Sequence, residues 1–297
     1  MKILNFGSLN IDYVYSVEHF VRKGETISSH QLEVFSGGKG LNQSVAMGRA
    51  GVEVYHAGAI GKDGENLLEL LKEAGVNVDY VEVLEKTKSG NAIIQRDASG
   101  DNCIILYGGA NQEISQEQVD NVLAHFSAGD FLVLQNEINE MPYIMEKAHQ
   151  KGMKIVLNPS PMNEKILQMP LDFVDYFILN EIEAKEILGA AQDGKAAGKE
   201  LLERLHQKFE KAKIVLTLGE EGSLYADEKE RVCQGIYQTK VQDTTAAGDT
   251  YTGYFMAGVV AGLSIRECMD LAAKASAISV SRLGAAPSIP KMEEVRN

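Results

Sequence analysis

Short apolar runs separated by polar and glycine-rich stretches give the chain its first outline. From about Asp130 onward, Phe131–Leu134, Lys154–Leu157, Tyr176–Leu179 and Ile214–Leu218 recur with helix-like stretches between them. That alternation predicts β-α units and a mostly parallel sheet covered by helices. Ile3–Phe6 and Val54–Ile60 read as buried strands of the same sheet, and Gly64–Gly75 carries the leucines of an amphipathic helix. Other stretches keep a period of two. Tyr13–Val17 and Thr26–Phe35 alternate apolar and polar residues, as do Asn91–Arg96 and Cys103–Tyr107 around the turn-forming Ala98-Ser99-Gly100-Asp101. Such patterns suit antiparallel strands with one covered face. They predict a small antiparallel β lid, inserted discontinuously from about 12–36 and 89–108 into a single α/β domain over 1–297. The competing reading makes them extensions of the main sheet.

Composition narrows the function. With 297 residues, 44% of them hydrophobic, and no low-complexity tract, the chain can bury a sizeable core and has the profile of a globular enzyme. A net charge of -13 without any Lys/Arg block argues against nucleic acid as a partner, so an anionic ligand must be held by local features. Cys103, Cys233 and Cys268 form no CxxC pair and no apolar signal segment is present, so the expectation is a cytoplasmic protein without structural zinc or disulfides. No apolar run approaches the roughly 20 residues that span a bilayer, so no membrane association is expected.

Two glycine-bearing segments point to chemistry. Ser36-Gly37-Gly38-Lys39-Gly40-Leu41-Asn42 precedes an Ala-bearing helix, Gln43–Arg49; its glycines allow close backbone approach to a ligand, to which Lys39 and Asn42 offer polar groups. It is not a Walker A loop, because Gly follows Lys39. Gly58-Ala59-Ile60-Gly61 lacks dinucleotide spacing and reads as a strand-to-helix turn with Asp63 as a cap. Asp243-Thr244-Thr245-Ala246-Ala247-Gly248-Asp249-Thr250 leads into an apolar helix, Tyr251–Gly262. Small residues at a helix start expose unpaired N–H groups that, with the helix dipole, favour a phosphoryl group, so Ala246, Ala247 and Gly248 form a candidate anion hole. On this ground alone, Asp249 reads equally as a dipole-compensating carboxylate or as the base that takes a hydroxyl proton.

These segments resemble those of PfkB carbohydrate kinases of the ribokinase type. The likeness runs through Gly7-Ser8-Leu9-Asn10-Ile11-Asp12, the Gly37–Asn42 segment, Gly109-Ala110-Asn111, Leu157-Asn158-Pro159, Asn180 to Ala184, Thr217 to Gly222 and Asp243 to Thr250, in the family's order. The resemblance implies a doubly wound α/β fold whose β lid closes over a sugar and mediates a homodimer. It also implies transfer of the γ-phosphoryl group of ATP, with Mg²⁺, to a primary hydroxyl of ribose or a related sugar, with Asp249 as catalytic base. Asn10, Asp12, Gly38, Lys39, Gly40, Asn42 and Glu137, beside Asp249, match sugar-binding positions. Asn180 and Glu183 match a motif near Mg²⁺ and the phosphates; their spacing also suits a capping box. Thr217, Gly219, Gly222, Gly248 and, on a helix covering the adenine, Ala273 match nucleotide positions. Asp243, Thr245, Ser279, Arg282, Gly284 and Ser288 resemble positions that surround K⁺. The Asn91-Ala92-Ile93-Ile94-Gln95 strand and Tyr107-Gly108 depart from a ribose enzyme's pattern, which leaves open fructose, a nucleoside, an inositol or a ketodeoxy sugar acid. A sugar sensor without turnover is the remaining alternative, and the intact Ala246–Asp249 segment counts against it.

Overall fold

A computed structural model describes residues 1–99, 101–190 and 197–296. In chain order its strands are β1 Ile3–Phe6, β2 Asn10–Ser16, β3 Gln31–Gly37, β4 Val54–Gly61, β5 Asn77–Leu84, β6 Gly90–Arg96, β7 Asn102–Tyr107, β8 Phe131–Gln135, β9 Lys154–Asn158, β10 Val174–Asn180, β11 Lys213–Thr217, β12 Ser223–Ala226 and β13 Arg231–Gln234. The helices are α1 Lys39–Arg49, α2 Glu65–Glu73, α3 Gln116–Leu123, α4 Met141–Gln150, α5 Glu181–Ile187, α6 Gly198–Lys208, α7 Ala247–Val260, α8 Ile265–Val280 and α9 Met292–Arg296.

Nine strands form one sheet in the order β13-β12-β11-β10-β9-β8-β1-β4-β5, parallel except along the β11–β12 and β12–β13 seams. Both faces are covered, which is why the central strands read as unbroken apolar runs. Alternation along them feeds two cores. Leu4, Phe6, Leu132 and Leu134 pack with Val119, Ile144, Ala184 and Leu201 of α3 to α6 on one face. Ile3, Val133 and Val156 pack with Val45, Leu71, Phe255 and Ala272 of α1, α2, α7 and α8 on the other. From β1 the early strands run outward one way and the late strands the other, so the order reverses between β1 and β8. The carboxyl ends of strands flanking such a reversal form the crevice in which open α/β sheets take ligands.

The four remaining strands form a second sheet, β3-β2-β6-β7. Its outer seams, β2–β3 and β6–β7, are antiparallel, whereas the central β2–β6 seam is parallel. Alternation cannot distinguish the two, because both place every second side chain on one face. Gly100, in the expected turn, lies outside the described residues. β3 begins at Gln31, five residues after the expected Thr26, because β2 ends at Ser16 and offers no backbone beyond that pairing. No helix among the described residues is long and apolar enough to cross a membrane.

Candidate active site

The N-terminus of α1 organises the crevice. Gly38 precedes it at φ 94, and neither a side-chain cap nor an acidic first-turn residue is present locally. Glu137, in the loop after β8, supplies the missing anion. Its Oε2 accepts the Lys39 backbone N–H at 2.9 Å and the Ser8 hydroxyl, while the Ser8 Oγ accepts the Gly40 N–H at 3.2 Å. A carboxylate at this position satisfies orphan donors and the helix dipole together. Gly40 is buried against the Gly7–Ser8 backbone, where an added Cβ would stand 2.3 Å from the Ser8 nitrogen.

Asn10 and Asp12 project from β2 beside this start. Asn111 donates its amide to the Asn10 Oδ1 at 2.7 Å and accepts the Leu9 N–H at 2.9 Å, so the NH₂ of Asn10 is left for a ligand. The Asp12 carboxyl lies over Gly37, where a Cβ would come within 1.9 Å of it. Burial, followed by repulsion from Glu137, pushes the Asp12 pKa up to about 7. Burial also raises Glu137, against the opposing effect of Ser8 and Lys39. For Lys39, burial works to lower the pKa, but the charges of Asp249, Glu137 and Glu183 prevail and raise it.

Asp249 stands in the first turn of α7, 7% exposed. Its Oδ2 accepts the Asn42 side-chain amide and its Oδ1 that of Gln43, each at 3.0 Å. The Asn42 Oδ1 is left buried and without a hydrogen-bond partner. Just before α7, Ala246 adopts a left-handed conformation at φ 62, a strain on the order of 1–3 kcal/mol for a residue with a Cβ. The Ala247 N–H donates to the Thr244 carbonyl at 3.2 Å, while those of Ala246 and Gly248 have no partner among the described residues. The loop carries two unpaired donors beside Asp249.

Farther along the sheet, Asn180 and Thr217 are register partners at the ends of β10 and β11. Asn180 and Glu183 form a complete capping box, with the Glu183 N–H donating to the Asn180 Oδ1 and the Asn180 N–H to the Glu183 Oε2, both at 3.0 Å. Burial raises the Glu183 pKa, opposed by the Asn180 backbone and Lys39. Gly219 and Gly222 take φ 56 and φ 92 around a short turn, and a Cβ on Gly222 would meet the Gln234 carbonyl at 2.1 Å. Ala273 is half-buried on α8, three residues before Ser276, whose hydroxyl donates to the Ala247 carbonyl at 3.0 Å.

Beneath the Ala246–Gly248 loop, Asp243 accepts the N–H groups of Thr245 at 2.8 Å and Gly284 at 3.0 Å. Burial works to raise the pKa of Asp243, but these bonds outweigh it and the net shift is downward. Ser279 and Ser288 share a 2.9 Å hydroxyl contact nearby, whereas the Arg282 side chain turns away to Glu294. Several polar residues of the region receive no role from the motifs: Ser8, Gln43 and, in the buried strands β1 and β8, Asn5 and Gln135. A polar residue within a buried strand was the available signal.

A profile of the pfkB family carbohydrate kinases matches residues 1–292. The ribokinase of Lactococcus lactis is 33% identical over 300 residues, covering 99% of this chain and 96% of its own length. Among solved structures, the ribokinase of Cryptococcus neoformans in complex with ADP superposes with a TM-score of 0.89 at 34% identity, covering 99% of this chain and 98% of that one. The Arabidopsis thaliana ribokinase complexed with ribose and ATP gives 0.86 at 28% identity, covering 99% and 97%.

Proposed function

The chain belongs to the pfkB family of carbohydrate kinases and is a ribokinase-like, ATP-dependent sugar kinase, and on that premise we propose that it phosphorylates ribose, or a close pentose relative, at its primary hydroxyl. The observation that carries the reading is Asp249: a buried carboxylate, gripped on both oxygens by amides, beside a helix start with unpaired N–H groups. There Asp249 takes the hydroxyl proton. Ala246 and Gly248 aim their unpaired backbone donors at the charge that develops on the transferred group, while the Ala247 N–H is held by the Thr244 carbonyl. The Asp12 carboxylate, the Glu137 Oε1 and the Asn42 Oδ1 accept sugar hydroxyls, and the Asn10 amide donates to one. Gly38 and Gly40 let the backbone pass close by, and the Lys39 ammonium balances the carboxylates.

ATP with Mg²⁺ supplies the transferable phosphoryl group and offsets its charge. Asn180 and Glu183 would hold the metal through water, a mode that suits an ion that keeps several of its own waters. Thr217, Gly219, Gly222, Gly248 and Ala273 line the nucleotide. Asp243, Thr245, Ser279, Arg282, Gly284 and Ser288 would hold K⁺ beneath the anion hole, largely through neutral oxygens. A K⁺ ion there would stiffen the loop, so restoring K⁺ to K⁺-free and Na⁺-free enzyme at constant ionic strength should raise turnover. Exposed Leu32, Val34, Ile104, Ile105 and Leu106 on the second sheet support a homodimer formed lid to lid.

Sugar-dependent ADP release, measured over ribose, fructose, nucleosides, inositols and ketodeoxy sugar acids, tests the proposal. The highest kcat/KM is expected with ribose. A different preferred sugar would replace the substrate, and no release with any would favour the sensor.

A further inference from the structure

We propose that Gln43 is a positioning residue for phosphoryl transfer, holding the Asp249 carboxylate, through an amide row that begins at Gln135, in the orientation from which it takes the sugar proton. This rests on the reading of Asp249 as base. Of the two amides that grip Asp249, Asn42 keeps an unpaired oxygen, which the proposed function assigns to the sugar, so its geometry is shared with the ligand. Gln43 is fully buried, and its hydrogen-bonding groups are engaged by protein. Its Nε2 donates to the Asp249 Oδ1 at 3.0 Å and the Asn158 Oδ1 at 3.2 Å, and its Oε1 accepts from the Gln135 Nε2 at 2.7 Å.

The row continues away from the crevice and has one direction. Gln135 also donates to the Asn5 Oδ1 at 3.0 Å, and Asn5 donates to the Gly40 carbonyl at 2.7 Å and the Ser44 Oγ at 2.8 Å. Burial lowers the His56 pKa to about 4, so the ring is neutral. The Gly7 carbonyl, 3.2 Å from the His56 Nε2, can only accept, which puts the ring proton on Nε2 and makes Nδ1 the acceptor for the Ser44 hydroxyl at 2.8 Å. Flipping any amide would set like groups against each other in a dry interior, where unmet polar groups are costly. The row ends on backbone carbonyls and meets Asp249 through the amide N–H of Gln43, which cannot receive a proton from it. It holds the base rather than relaying from it. A core built for stability alone has no need of such a run of polar side chains beside apolar Val45 and Val133.

Gln43→Met keeps the length and removes the hydrogen bonds. The expected result is a fall in kcat of roughly 10- to 100-fold, with the sugar and ATP KM values and the calorimetric sugar Kd within about twofold of wild type. In an Asp249→Asn background the same substitution should change residual turnover no further, because the group through which it acts is gone. Gln135→Met, one contact farther back, should give the same split with a smaller loss, and it decides alone if Gln43→Met does not fold. A loss that persists undiminished in the Asp249→Asn background overturns the proposal, as does a raised sugar KM with unchanged kcat. Near wild-type turnover by Asp249→Asn itself would remove the role of Asp249, and the proposal with it.

Discussion

Around Asp12, Glu137 and Asn42, the polar groups are side chains held by other side chains or by a helix start: Ser8 and the Lys39 N–H fix Glu137, Asn111 fixes Asn10, and Asp249 fixes Asn42. Around Gly219–Gly222 and Ala246–Gly248, the chain offers backbone in left-handed turns, with exposed Gly248 and few side-chain anchors. The proposed sugar side is a preorganised set of donors and acceptors, which suits a ligand that must be recognised hydroxyl by hydroxyl. The proposed nucleotide side suits phosphates, for which N–H groups and close backbone approach are enough. Damage to the first should therefore come from removing a side chain, and damage to the second from adding one.

The largest effect is expected where the two sides meet. Asp249→Asn keeps the shape and should retain sugar binding, but it should lose turnover by roughly 10²- to 10⁴-fold, read from single-turnover rates and calorimetry. On the sugar side, Asp12→Ala should raise the sugar KM roughly 10- to 100-fold with little change in the ATP KM; an effect confined to ATP would dissolve the division. Gly222→Ala should do the reverse and more mildly, raising the ATP KM about severalfold, because its Cβ meets the Gln234 carbonyl at 2.1 Å and its φ is 92.

The smallest effect is a slope with pH. The Asp12 pKa rises from 3.8 to about 7 on folding, through burial and then Glu137, so the protonated form favours the folded state. That contribution is complete below the unfolded value and is lost as pH rises through the folded one. Ligand-free protein should become less stable to urea between about pH 5 and pH 8, and Asp12→Asn should flatten that component. Sugar affinity in the wild type should move oppositely, because the ionised carboxylate is the better acceptor for hydroxyls.

The parts legible in the sequence are those whose signal is local. Buried strands announced themselves as apolar runs, and the segments around Gly38 and Asp249 carry their composition within a few residues. The resemblance already places Glu137 among the sugar-binding positions, but that it also supplies the anion missing at the start of α1 is revealed only by the packing of the β8 loop against that helix. Gln43 sits beside Asn42 in a recognised segment, yet its partner Asp249 is 206 positions away. β5 escaped notice as an edge strand with acidic residues facing out, and β12 and β13 are too short, at 4 residues each, for a period to show.

The parallel seam in the second sheet has a consequence for synthesis. Asn10 pairs with Gly90, and α1, β4, α2 and β5 all lie between the two strands in the chain. On a growing chain, β2 and β3 leave the ribosome as a lone hairpin, which has little stability of its own. One edge of that hairpin stays unpaired until β6 is made, with Ile11 and Val14 still uncovered, so this is the stage at which a chaperone or a misdirected strand would find it. Asp12 pairs with Ala92, so its place in the second sheet is completed only after three of the nine main-sheet strands, β1, β4 and β5, have been synthesised.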